Sequence, residues 1–236
     1  MSAVASILSE LEKMGTAQTK KTWLNHGARE PIYGVKVQDM KTIQKRIKKD
    51  YLLSLDLYRS GVGDAMYLAG LISDPMKMTK EDLQEWADQA SWAMVSEYTV
   101  PWAASESRFG RELALTWIDD ADPRLRATGW NTYAAVLSLK KDEELDIKEI
   151  ESLLNRIIKE IHGEEERVKY TMNNFVIATG TYVAPLLAKA KATAVKMGVV
   201  TVDMGNTECK VPGALPYIEK AEAAGKVGKK KKTVFC

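Results

Sequence analysis

Cysteine and histidine are almost missing from this chain of 236 residues. Cys209 and Cys236 are its whole cysteine complement, and His26 and His162 its only histidines. Two cysteines, one of them terminal, make neither a disulfide framework nor a metal knuckle. The two histidines stand far apart with no ligand-like spacing around them, so no histidine-based metal site is expected. Cys209 has no histidine near it in sequence to activate it as a nucleophile. The glycines lack the spacing to a Lys-Ser or Lys-Thr pair that a phosphate loop requires. No apolar run approaches the length of a membrane span. The N-terminal Met1-Ser2-Ala3-Val4 leads straight into an amphipathic pattern containing Glu10 and Glu12, without the charge order of a signal peptide. A cytoplasmic protein with no membrane partner is expected. β signals are as scarce, and Gly198–Val202 is the only credible short strand or extended lead.

What is present is ordinary in bulk and uneven in placement. Hydrophobic residues make up 45% and charged residues 28%, values of a soluble globular chain long enough to bury a sizeable core. The net charge is +2. Residues 213–236 carry six lysines against Glu219 and Glu222, a local +4, so the preceding residues sum to −2. The run Lys229, Lys230, Lys231 and Lys232 reads as a basic patch able to hold a polyanion without sequence preference. Five of the six tryptophans lie between Trp86 and Trp130, interleaved with Arg108, Arg111, Arg124 and Arg126. Aromatic faces and guanidinium groups on one scaffold suit a nucleic-acid surface; the same residues also fill cores and solvate faces.

Helical periodicity dominates. Val4, Ile7, Leu8, Leu11 and Met14 make one face, and residues 37–49 place Met40, Ile43 and Ile47 on a stripe among basic residues. Thr79 with Asp82 three residues on reads as a capping box, opening a helix through Leu83, Trp86 and Ala90 toward Met94. Asp122-Pro123 is a second start signal and Asp146 a third. Antiparallel pairs are expected over about 37–73, 79–118, 122–161 and 164–197. This 40-residue rhythm suits an all-α superhelix of stacked HEAT-like pairs with a concave groove wide enough for a duplex. Residues 1–202 form that domain in this reading. Residues 203–236 form an irregular extension with one short helix near Leu215–Ala224. A monomer is expected, since a groove binder needs no symmetric partner.

Within this frame, Trp92 and Ser96 are four apart and share a helical face, while Glu97 is turned about 100° from Ser96. Arg124 and Arg126 cannot point the same way, whereas Arg126 and Trp130 can. Asn173 and Asn174 are indifferent helix formers inside a strong helix. Packing against a loop or contacting a phosphate backbone would each explain them.

The segment Tyr33-Gly34-Val35-Lys36-Val37-Gln38-Asp39-Met40-Lys41-Thr42-Ile43 resembles the early signature of the AlkD-like DNA alkylation-repair family, the HEAT-like repeat DNA glycosylases, and the likeness extends over most of residues 1–200. The resemblance implies binding of double-stranded DNA in the concave groove. In active members it implies removal of cationic N3- or N7-alkylated purines by two aromatics, a carboxylate and an arginine, without metal or cofactor. The family's WWDTVD-like motif falls on Ser91-Trp92-Ala93-Met94-Val95-Ser96. Trp92 then takes the first aromatic position, Phe175 the second, and Arg126, in Asp122–Ala127, the arginine that would hold a phosphate. Ser96 stands where the catalytic aspartate belongs, and Glu97 is the nearest replacement. Arg108, Arg111, Arg124, Trp130, Lys169, Asn173 and Lys229–Lys232 complete the expected DNA contacts. Three readings follow: a binder of damaged or branched duplex DNA with reduced or no base excision, an active alkylpurine glycosylase, and a helical-repeat protein-interaction module. On the first two, alanine at Arg126 is expected to leave folding nearly intact and to weaken DNA binding.

Overall fold

The computed structural model describes residues 2–204, 207 and 209–235. Among these residues there are thirteen α-helices and no strand. The chain divides into two compact units, one made by residues 2–108 and the other mainly by Phe109–Asp203 and Cys209–Val234; Met204, Thr207 and Phe235 fall with the first.

The first unit contains α1 (Ala3–Met14), α2 (Ala17–Asn25), α3 (Val37–Ile47), α4 (Tyr51–Arg59), α5 (Gly63–Ile72), α6 (Lys80–Gln89) and α7 (Val100–Glu106). Helix α5 (GDAMYLAGLI) is apolar around its whole circumference, and every residue of it is buried, so the other helices cover it. Helix α6 starts as its sequence demands. Thr79 accepts from the Asp82 N–H and the Asp82 carboxylate accepts from the Thr79 N–H. It ends at Gln89, short of the expected Met94. Ser91 instead turns its hydroxyl to the Met66 sulfur of α5, and helix resumes at Ala93. Residues 37–73, expected as one pair, hold three helices. The short connections 48–50 and 60–62 set them side by side.

The second unit contains α8 (Gly110–Ile118), α9 (Pro123–Leu139), α10 (Ile147–Glu160), α11 (Glu166–Tyr182), α12 (Leu187–Met197) and α13 (Ala214–Ala223). Asp122 and Asp146 cap α9 and α10, accepting from Arg124 N–H and Glu149 N–H. In α10 the stripe Ile150, Leu153, Leu154 and Ile157 is buried. Helix α9 packs on α11 and α10 on α12, each on the helix two along in the chain. That is the contact pattern of consecutive antiparallel hairpins stacked in register. Gly129 permits close packing of α8 on α9, because a Cβ there would lie 2.6 Å from the Ile118 nitrogen. The core between α9 and α11 is aromatic. The Phe175 ring meets Trp130 edge-on at 5.2 Å and Tyr133 at 5.6 Å, and all three are essentially sealed from solvent. Gly198–Val202 is extended but pairs with no strand. Helix α13 packs on α11 and α12 through Ile218, which occupies the space that a Cβ on Gly180 would need.

Candidate functional site

In the first unit, the signature segment around Tyr33 is held by one carboxylate. Asp64, buried near the start of α5, accepts from the N–H groups of Tyr33 (2.6 Å), Gly34 (3.2 Å) and Val35 (2.8 Å). Three backbone donors are thereby satisfied by one side chain inside the protein. Gly34 is required twice over: its φ is +81°, and a Cβ would lie 2.3 Å from the Lys20 nitrogen. The Val35 carbonyl accepts from the Trp23 indole at 3.2 Å. The Trp23 ring lies 5.8 Å from Trp92, tilted by 52°.

Trp92 is therefore packed rather than presented, with 6% of its surface exposed. Its Nε1 is buried without a hydrogen-bond partner among the described residues, beside Gly63. The chain then enters a single π-helical turn, Val95–Thr99, closed by the Val100 N–H donating to the Val95 carbonyl. Such a turn inserts extra backbone into a helix and rotates the side chains that follow, and it recurs at functional sites. Gly70 of α5 makes room for it, since a Cβ there would meet Thr99 Cγ2 at 2.5 Å. Ser96 and Glu97 both sit in this turn and both are buried. Within it successive side chains are rotated by somewhat less than in an α-helix, so Ser96 and Glu97 still point in different directions. Arg108, just after α7, is exposed.

In the second unit, Arg126 is the hub of a network. One terminal nitrogen donates to the carbonyls of Asp120 (3.2 Å) and Ala121 (2.9 Å), in the α8–α9 connection. The other donates to Glu164 (3.0 Å) and Glu165 (2.5 Å), at the start of α11. The Arg126 side chain is 15% exposed, and its Nε is buried without a partner among the described residues. Burial works against its charge, but the two glutamates outweigh burial and hold its pKa above the ordinary arginine value. The arginine read as a free phosphate contact thus ties two connections together.

The other expected contacts are engaged in the same way. Arg124 pairs with Asp122 at 2.9 Å. Arg111 pairs with Glu149 at 2.5 Å, and Glu149 also accepts from Tyr133. Lys169 pairs with Glu166 at 2.9 Å. Asn173 is buried and donates to the Pro212 carbonyl, so packing against a loop is what explains that amide, and it faces no solvent. Phe175 and Trp130, expected to present aromatic faces, are core residues instead. The stripe that α9 and α11 bury against each other contains both. Nor is the basic run uniformly free. Lys230 reaches inward to the Leu137 carbonyl (3.0 Å) and Asp142 (2.9 Å), with 15% of its side chain exposed. Lys231 lies over the Tyr182 ring, while Lys229 and Lys232 are exposed. Among the described residues, no group of three His, Cys, Asp or Glu could hold a metal ion, and no helix is long and apolar enough to cross a membrane.

Trp23 and Asp64 escaped the sequence reading, and nothing local marks them. Asp64 acts on residues some thirty positions earlier, and Trp23 lies outside the tryptophan-rich stretch.

Residues 7–195 match the protein family described as DNA alkylation repair enzyme. The chain belongs to that family. Two uncharacterized proteins, one of Listeria monocytogenes and one of Listeria innocua, are each 34% identical to it over 221 residues, covering 90% of this chain and 94% of theirs. A solved structure described as "a new family of proteins related to the HEAT-like repeat DNA glycosylases with affinity for branched DNA structures" matches with a TM-score of 0.89. Its identity is 36%, and the match covers 99% of each chain. The fold of this DNA alkylation repair family member is accordingly the α-α superhelix of HEAT-like pairs that the helical rhythm predicts.

Proposed function

We propose that this protein recognises damaged or branched duplex DNA and carries out little or no base excision. Membership in the DNA alkylation repair family and likeness to a protein with affinity for branched DNA support the DNA partner. The feature that carries the loss of excision is Ser96, a buried hydroxyl where the motif resemblance puts the family's carboxylate. Breaking the N-glycosidic bond of a cationic purine leaves a neutral base and moves positive charge onto the sugar. A fixed carboxylate stabilises that charge and orients the attacking water. At about 4 Å and an effective dielectric near 20, its attraction is roughly 4 kcal/mol, or on the order of a thousandfold in rate. A neutral serine supplies little of this. The burial of Trp92 and Phe175 supports the same reading, because neither ring lies open for a base or sugar to stack on.

A second reading, an active alkylpurine glycosylase, is favoured by the π-helical turn. It gives Glu97 a different rotation about the helix from the one an α-helix would impose, and Glu97 is a buried carboxylate next to Ser96.

Release of methylated bases from N-methylated duplex DNA under single-turnover conditions tests both. Wild type, Ser96→Asp and Glu97→Gln are compared, with DNA binding recorded on the same samples. Binding without release by wild type is expected. Release by wild type that Glu97→Gln abolishes would replace this reading with the second. A gain of release in Ser96→Asp would locate the lost catalytic position.

A further inference from the structure

Seven described residues have a backbone φ in the left-handed half of conformational space, and six of them are glycine: Gly27, Gly34, Gly61, Gly198, Gly225 and Gly228. The seventh is Lys48, with φ 64° and ψ −123°. This region is open to glycine and strained for any residue with a Cβ. The geometry is imposed by the fold. Lys48 ends α3, its N–H donating to the Gln44 carbonyl, and only residues 48–50 connect α3 to α4. Asp50, the cap of α4, is further pinned by its N–H to the Ile72 carbonyl. Glycine would fit this position without strain, yet the chain carries a lysine there.

That lysine has neighbours of its own kind. Lys45 and Lys49 flank it, and all three are exposed, with no ion pair among the described residues. Arg46 in the same run is committed to Glu10 by a bidentate pair. The one carboxylate in the stretch, Asp50, caps the Leu53 N–H. A favourable interaction of cations with the C-terminal end of α3 accounts for Lys45 in the last turn, and glycine at position 48 would not disturb it. It does not account for a lysine kept in a strained conformation.

We propose that Lys45, Lys48 and Lys49, at the α3–α4 turn, form a phosphate-contact patch for the backbone of duplex DNA. The proposal rests on the DNA-binding reading above. Lysines on flexible stems act as point charges, suited to holding a phosphate backbone without reading bases. Each contact releases counterions, so it adds about 0.9 to the slope of log affinity against log salt. At 0.1 M salt, its loss weakens binding roughly tenfold.

The test measures binding of full-length protein to a synthetic four-way junction and to a linear duplex of matched sequence, across a salt series, together with thermal melting. Lys48→Met keeps the strain and removes the charge. It is expected to leave Tm unchanged, to weaken binding about tenfold and to lower the salt slope by about one. Lys48→Gly is expected to lose the same affinity while raising Tm by roughly 2–4 °C. Lys45→Gln/Lys48→Met/Lys49→Gln should lower the slope by about three. If wild type binds both DNAs and Lys48→Met binds with unchanged affinity and slope, the patch is refuted and the DNA-binding reading stands. A lower Tm for Lys48→Gly would overturn the strain argument. If wild type binds neither DNA, the DNA-binding reading fails and takes this patch with it.

Discussion

Replacing Arg126 by alanine removes four polar interactions from a side chain that is mostly buried, and the loss can be apportioned. Its bonds to the Asp120 and Ala121 carbonyls are charge-assisted, so each contributes on the order of 1.5 kcal/mol or more. Glu165 is 57% exposed, and solvent screening reduces its pair to about 0–1 kcal/mol. Glu164 is only 16% exposed and would be left as a partly desolvated carboxylate without its cation, a further cost of about 1–2 kcal/mol. Relief of the arginine's own desolvation offsets part of the total, leaving a net loss of roughly 3 kcal/mol. Denaturant unfolding of Arg126→Ala should therefore show a lower midpoint at unchanged slope. Thermal melting should fall by about 10 °C.

A double-mutant cycle separates the partners. Arg126 and Glu164 should couple by more than 1 kcal/mol, and Arg126 and Glu165 by less. Arg126→Lys, which keeps the charge but not the planar fork, should lose about half as much as alanine. Arg126→Ala stability within about 0.5 kcal/mol of wild type would refute the argument. The sequence leads one to expect that alanine at Arg126 leaves folding nearly intact, whereas this geometry implies a measurable loss of stability. Any DNA-binding loss in Arg126→Ala has to be read beside its stability, and Arg126→Lys is the cleaner probe of phosphate contact.

Asp64→Ala should orphan two buried backbone donors and one part-buried one and destabilise the protein by about 4 kcal/mol, with amide exchange accelerated first at Tyr33, Gly34 and Val35; unchanged protection there would count against the role assigned to Asp64. Acid should destabilise the fold, because several glutamates have folded pKa values below their ordinary 4.5. Arg59 lowers Glu85, a backbone N–H lowers Glu165, and Lys169 lowers Glu166. A depressed carboxylate contributes fully above its unfolded value and loses that contribution as pH falls through its folded value. Stability should hold at neutral pH and decline below about 4.5, as denaturation midpoints across pH will report. On the alkaline side, burial and Glu149 raise the Tyr133 hydroxyl above its ordinary value of 10.0. Its contribution should be lost only as pH rises above about 10, and ultraviolet difference titration should place Tyr133 among the tyrosines that ionise only on unfolding.

Helix starts were legible because their causes are local: Thr79 with Asp82, Asp122 with Pro123, and Asp146 each carry the cap within four residues. The stacking of 122–161 on 164–197 was legible too, since two strongly periodic helices on each side leave few other arrangements. The π-helical turn at Val95–Thr99 was not. It depends on Gly70 making room for Thr99, a contact across nearly thirty residues. Nor could composition separate the tryptophans that might present a face from those that fill a core. Trp130 and Phe175 sit on helices whose small and polar neighbours, such as Gly129, Thr132 and Thr179, are themselves buried, which blurs the amphipathic stripe. Arg126 is legible by position but its partners are not, because nothing local pairs it with glutamates nearly forty residues later.

Those partners bear on how the protein would use DNA. Arg111, Arg124, Arg126, Lys169 and Lys230 carry much of the charge that suggested a nucleic-acid surface, and each is matched to a carboxylate within the second unit. A phosphate backbone approaching them must compete with those internal anions, so each such contact exchanges one ion pair for another and contributes less than a free lysine would. Among the described residues, Lys45, Lys48 and Lys49 in the first unit and Lys229 and Lys232 in the tail are exposed and carry no ion pair, so they are among the cations that give affinity at least internal cost. The salt dependence of binding should therefore report these residues rather than the arginines singled out by sequence.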